Sequence, residues 1–322
     1  MCFSLLDTDR AARYAISSPT SSAFHIHREN TAMTPPQSSL DRRRFLQLGT
    51  TAALGLAAGS RLAFADVKDD PFGGFTLGAQ SYTFRHFDLE PTLKRLKDLG
   101  LHYVEFYQKH CPAESTPEQL AAILKLCKEY EVTPLAWGVQ NFSKDTDKNR
   151  KYFDLGKALG LKMLSADPDP DSFDSLDKLC DEYKIAIGIH PHGPQGDHLH
   201  RWYSADVILP AVKDHNPLIG TCLDTGHLIR AAQLGKKLDP VEEVQKMGAR
   251  NHGIHLKDWN NETKKEVIAG QGNLDVAALL KALREVKFKG MISIEYEAKE
   301  EEPTDDVKLD VQVVKDAVKK LG

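Results

Sequence analysis

Four apolar runs in this chain end in side chains that bind cations or move protons: IAIGIHPHG (185–193), IGTCLDTGH (219–227), HGIHLKD (252–258) and MISIEYE (291–297). They supply His190 and His192, Asp224 and His227, His255 and Asp258, Glu295 and Glu297. Two imidazoles and two carboxylates meeting at one point suit a single borderline divalent cation such as Mn, Zn, Co or Fe. The inner member of each pair is the expected ligand, giving His190, Asp224, His255 and Glu295, with His190 favoured over His192. Gly226 lets the backbone turn so that His227 faces the same cavity. Strand alternation puts Lys257 on the face of His255, where it can hold a substrate oxygen or polarise a carbonyl. Asp258 is expected to orient His255, pair with Lys257 or touch substrate. Plainer readings stand beside these: an N-capping Asp224 with a surface His227, a Lys257–Asp258 ion pair, and a solvated edge charge at Glu297.

Such residues act together only if the fold gathers them. Strand-like and helix-like segments alternate from residue 75 onward. Strands are expected at 75–83, 102–107, 132–139, 162–166, 185–190, 219–223, 253–256 and 291–296. Helices are expected at 91–99, 117–130, 147–159, 172–183, 205–213, 240–246, 274–286 and 307–320. Thr116 and Pro117 mark one helix start, and Gly100 and Gly160 mark two ends. Eight such units predict an α/β fold, a single-domain (β/α)8 barrel, which places all strand C-termini on one rim. No GxGxxG follows the first strand, which argues against an open dinucleotide-binding sheet. His198 and His200 lie in a loop rich in His, Gly and Pro and are read as surface residues of a lid.

The chain divides into 1–65, an N-terminal extension and signal segment, and 66–322, the barrel. Arg42-Arg43 within DRRRFLQ resembles a twin-arginine export motif; an apolar, Gly-rich stretch and a small-x-small site at Ala63-Phe64-Ala65 follow. The apolar stretch is short for a membrane anchor. Met33, nine residues before Arg42, is the expected true start. These features predict export to the periplasm or another extracytoplasmic space. The leader holds seven Arg and four acidic residues, so the remainder is more acidic than the whole chain's net charge of −4. That balance argues against a nucleic-acid partner. Cys111, Cys127, Cys180 and Cys222 include no CxxC pair and are expected to be small buried hydrophobes.

The set IHPHG, LDTGH, HLKD and IEYE, with GQG at 270–272, resembles the sugar phosphate isomerase/epimerase proteins of the xylose isomerase-like barrel superfamily over about 75–321. The resemblance implies a metal held by Glu, Asp, His and Glu, of which the last three map to Asp224, His255 and Glu295. His190 occupies the strand-five Glu position, so a symmetric exchange between two glutamates is in doubt. Glu105 and His110 resemble a family substrate contact. Trp137 after the third strand could stack on a sugar or pack at the barrel mouth, and Tyr82 and Gln80 are weaker candidates.

The implied activity is a metal-dependent sugar isomerase or epimerase abstracting a proton next to a carbonyl. Glu295 or His190 would be the base, and Lys257 or His227 the donor to the oxyanion. The small-molecule partner is a carbohydrate, and export favours a free sugar or keto-sugar over a phosphate ester. Rival readings are a lyase or dehydratase acting through the same enediolate, a non-catalytic sugar-binding barrel, and an endonuclease IV-type barrel. The last needs more metal ligands and a basic groove.

Overall fold

The computed structural model describes residues 70–322. The leader, its Arg42-Arg43 pair, the cleavage site and the start at Met33 lie outside the described residues.

Eight parallel strands close into a barrel: β1 (Thr76–Gln80), β2 (Tyr103–Phe106), β3 (Thr133–Phe142), β4 (Met163–Pro168), β5 (Ala186–Ile189), β6 (Ile219–Asp224), β7 (Asn251–Leu256) and β10 (Met291–Ile294). Between β7 and β10, β8 (Asp258–Asn260) and β9 (Lys265–Val267) form an antiparallel hairpin. The helices are α1 (Leu89–Asp98), α2 (Pro117–Glu129), α3 (Thr146–Leu159), α4 (Phe173–Tyr183), α5 (Ala205–Val212), α6 (Thr225–Arg230), α7 (Pro240–Met247), α8 (Val276–Glu285) and α9 (Thr304–Leu321). The (β/α)8 barrel read from the sequence is present. The hairpin was not anticipated, and α6 only through the reading of Asp224 as an N-cap.

Local chemistry explains the boundaries. Thr116 and Gln119 form a reciprocal capping box with Pro117 in the first turn of α2. Gly160 ends α3 in a left-handed conformation that costs a glycine little.

Alternation sorts each strand. On β10, Ile292 and Ile294 face the helices, while Ser293 points inward in the phase of Glu295. On β7, Ile254 and Leu256 flank the inward His255. The outward residues join Leu93, Leu96, Leu176, Leu179, Val244, Leu279, Leu283, Val311 and Val314 in one continuous core. Inside the barrel floor, Ala136, Met163, Ala186 and Cys222 form a small apolar layer. Gly253 makes room for it: a Cβ there would lie 2.6 Å from Met163 Cε and 2.9 Å from Cys222 Sγ. All four described cysteines are buried and unbridged, as their apolar surroundings implied.

Candidate metal centre

Above the apolar floor the barrel interior is polar. Glu105, at the end of β2, is fully buried. It accepts hydrogen bonds from Ser165 and Ser293 hydroxyls and from His255 Nε2–H, the last at 2.9 Å. Burial pushes its pKa up, but the His255 charge and these hydrogen bonds outweigh that and hold the group below its usual range. This contact keeps a proton on His255 Nε2, so Nδ1 is the nitrogen that turns toward the rim and can bind a cation once it gives up its own proton.

His255 Nδ1 is 3.0 Å from His190 Nε2, 3.2 Å from Glu295 Oε2 and 4.0 Å from Asp224 Oδ2. His190 Nε2 is 3.5 Å from the same Asp224 oxygen. One ligand atom from each of His190, Asp224, His255 and Glu295 lies within 4.8 Å of every other. The four expected ligands are therefore brought together.

The oxygens of Asp224 divide two roles the sequence left open. Oδ1 caps α6 by accepting the His227 backbone N–H at 2.6 Å. Oδ2 is buried and makes no hydrogen bond among the described residues. Lys257 and His190 approach it only at 3.7 and 3.5 Å, which leaves a buried carboxylate oxygen with a lone pair free for a bound cation. Together with two imidazole nitrogens and Glu295, it forms a donor set that fits a borderline divalent cation. His190 Nδ1 also lacks a partner.

Lys257 completes the centre from the His255 face, as alternation required. Its ammonium is 2.9 Å from Glu295 Oε2 and 3.7 Å from Asp224 Oδ2, and it also donates to Glu297. Burial lowers its pKa, but Glu295, Asp224 and Glu297 outweigh burial and hold it charged. Opposite stands a wall of imidazoles. The His190 ring lies 4.7 Å from His192 and 5.5 Å from His227, centroid to centroid. Burial, reinforced by its histidine neighbours, pushes the His192 pKa down to about 3. It pushes that of His227 well down against the opposing pull of Asp224, so both rings are neutral.

Several sequence expectations are corrected. Glu105 is sealed beneath His255 rather than open to the rim. Asp258 neither orients His255 nor pairs with Lys257. It accepts backbone N–H groups from Trp259, Gly270, Gly272, Asn273 and Leu274 and so ties the hairpin to the loop behind it. Trp137 offers no stacking face: it is 1% exposed, stacks on Tyr152, and its indole N–H donates to the Cys111 carbonyl at 2.8 Å. His110 is buried beside α1, with Nε2 3.0 Å from the Phe87 carbonyl oxygen. His200 is not at the surface; it is buried 3.3 Å from Asp167, its ring 4.8 Å from that of His192.

Ser165 and Ser293 escaped the sequence reading. Their signal was a hydroxyl set between apolar neighbours at an inward strand position. Glu266 on β9 was also missed. It accepts the Glu297 backbone N–H at 2.6 Å, and burial pushes its pKa up to about 7.

A family model described as the xylose isomerase-like TIM barrel matches residues 93–317. An uncharacterized protein of Methanocaldococcus jannaschii is 28% identical over 123 residues, a match spanning 37% of this chain and only 39% of that relative. Many solved structures share the fold. An uncharacterized protein from Parabacteroides distasonis is 26% identical with a TM-score of 0.56, covering 77% of this chain and 98% of its own. A D-tagatose 3-epimerase-like protein is 18% identical with a TM-score of 0.61 over the same shares. A D-allulose 3-epimerase from Methylomonas sp. is 16% identical with a TM-score of 0.57, covering 76% of this chain and 98% of its own. Among the described residues, no helix is long and apolar enough to cross a membrane.

Proposed function

This chain belongs to the xylose isomerase-like TIM barrel family, and from that premise we propose that it is a sugar isomerase or epimerase dependent on one divalent cation. His190, Asp224, His255 and Glu295 would hold the cation. The observation carrying this reading is the convergence of their four ligand atoms around an Asp224 Oδ2 that makes no hydrogen bond among the described residues. The epimerase names of two structural relatives support the carbohydrate class. A bound divalent cation would supply Lewis-acid stabilisation of charge on a carbonyl oxygen.

The chain's own groups supply the rest. Glu295, held ionised beside Lys257, would be the proton acceptor at the carbon next to the carbonyl. The Lys257 ammonium, kept charged by three carboxylates, donates to the oxygen that gains negative charge. Neutral His227 and His192 line the same opening and hydrogen-bond substrate hydroxyls. The twin-arginine leader would carry the enzyme out of the cytoplasm, which makes a free sugar or keto-sugar the substrate.

One observation favours a second outcome of the same proton abstraction. The strand-five group is an imidazole 3.0 Å from another imidazole, not a carboxylate opposite Glu295. A partner for symmetric reprotonation is thus missing at that position, which favours expulsion of a leaving group from the neighbouring carbon, a lyase or dehydratase reaction.

Elemental analysis of the purified protein and of its His255→Ala variant tests the centre: about one divalent ion per chain, lost in the variant, is expected. Incubation with sugars, keto-sugars and glycosides in deuterated water then reads the chemistry. Deuterium next to the carbonyl in recovered substrate or product supports proton abstraction, and the product identifies the branch. A protein that takes up Mn, Zn, Co or Fe yet exchanges no proton on any of them would instead be a binding barrel.

A further inference from the structure

Next to the imidazole wall lie two hydrogen-bond donors with no acceptor. Arg230, the last residue of α6, places its guanidinium over the Trp259 indole on β8, 4.8 Å from the ring centroid. Arg230 Nε and Trp259 Nε1 are both buried and make no hydrogen bond among the described residues. Arg230 forms no ion pair with any described carboxylate, and NH1 donates only a long bond, 3.4 Å, to His227 Nδ1. A permanently charged group with a buried, unused N–H is costly unless something binds there.

Residue 193, beside both Arg230 and His227, is glycine, so no side chain stands between the backbone there and the guanidinium. A Cβ there would sit 3.1 Å from His227 Nδ1 and 3.4 Å from Arg230 Cζ and Nε, filling the approach to the guanidinium edge. His227 joins this recess to the cation centre, its ring 5.5 Å from that of His190. Ligand atoms in the recess and at the centre can therefore belong to one small molecule.

We propose that Arg230 and Trp259 form a carboxylate subsite, so that the substrate is an acidic sugar of the uronate class. This rests on the sugar isomerase or lyase reading above and names the substrate for that same site. A planar guanidinium edge accepts the two oxygens of a carboxylate side by side, and the indole N–H adds one neutral donor. The recess carries one formal positive charge, matching a monoanionic carboxylate rather than a phosphate dianion.

The test is calorimetric titration of the metal-loaded protein with D-glucuronate, D-galacturonate and D-mannuronate, their parent hexoses and the hexose 6-phosphates. At least one uronate is expected to bind ten-fold or more tighter than its parent hexose. That ratio should fall to within about three-fold in Arg230→Met, and Arg230→Lys, which keeps charge but loses the fork, should retain part of it. Trp259→Phe should lower the ratio by a smaller factor. Melting temperature and metal content of each variant confirm that it is folded. The subsite is overturned if hexose and uronate bind alike, if no uronate binds, if the preference survives in Arg230→Met, or if a 6-phosphate binds tighter than the uronate. Proton exchange into neutral sugars without uronate preference removes the subsite alone. Arg230-dependent uronate binding without exchange on any sugar removes the isomerase or lyase reading alone.

Discussion

At the scale of single residues, the decisive contact is between His255 and Glu105. An imidazole can offer only one lone pair, and the partner on its other nitrogen decides which. Glu105 takes the Nε2 proton at 2.9 Å, so Nδ1 faces His190, Asp224 and Glu295. Glu105 is itself fixed by Ser165 and Ser293, which leaves the ring little freedom. Glu105→Gln keeps the shape but weakens this anchor, because the charge is lost and the NH2 that replaces one oxygen can no longer accept a hydrogen bond there. Metal affinity, measured by competition with a chelator, should fall about 10- to 100-fold while circular dichroism stays unchanged. Unaltered affinity would remove Glu105 from the orientation of His255. The ligand types were legible in sequence because each closes an apolar run. The role of Glu105 was not, since a buried carboxylate and a substrate-facing one occupy the same strand-end position. Only cross-barrel distances to His255 and Ser293 separate them.

At the scale of elements, the hairpin between β7 and β10 carries the difference between what the sequence and the structure reveal. The eight barrel strands are visible as period-two alternation ending in polar groups. The residues of β8 and β9, Asp258–Asn260 and Lys265–Val267, are too short and too polar to show a period. Their order depends on one acid at the start of β8: Asp258 accepts five backbone N–H groups, four of them from residues 270–274. Gly272 is needed because a Cβ there would come within 2.6 Å of Asp258 Oδ1 and 2.8 Å of the Trp259 backbone. Asp258→Ala should therefore cost at least about 2 kcal/mol in urea unfolding, since several buried donors lose their acceptor together. Amide hydrogen exchange should rise first across residues 258–274. Uniform exchange, with protection lost equally across the barrel, would contradict a local latch. The same variant should reduce metal content less than His255→Ala does, because Asp258 touches none of the four ligands.

At the scale of the whole molecule, the barrel interior is layered: an apolar floor of Met163 and Cys222, a hydrogen-bonded storey of Glu105, Ser165 and Ser293, and the charged rim. The sequence conveyed the barrel and its rim because both follow from repeated strand–helix units. It did not convey which helices are tied to which loops, since those ties pair single residues far apart in the chain. One such tie makes stability depend on pH. Asp310 of α9 is buried and accepts the Ala269 N–H at 2.8 Å, joining the closing helix to the loop after β9. Burial, with Asp306 and Asp258 nearby, pushes its pKa up to about 7, well above the ordinary carboxylate range. The folded protein thus holds this proton to higher pH than the unfolded chain does. Its contribution is complete below about pH 4 and is lost as pH rises to about 7, with a slope of at most about 1.4 kcal/mol per pH unit. Asp310→Asn keeps an acceptor for Ala269 and removes the titration. Urea unfolding at pH 5, 6, 7 and 8 should show the stability of the wild type falling relative to the variant up to about pH 7 and running parallel above it. A constant difference across that range would mean that Asp310 ionises at an ordinary carboxylate pKa despite its burial.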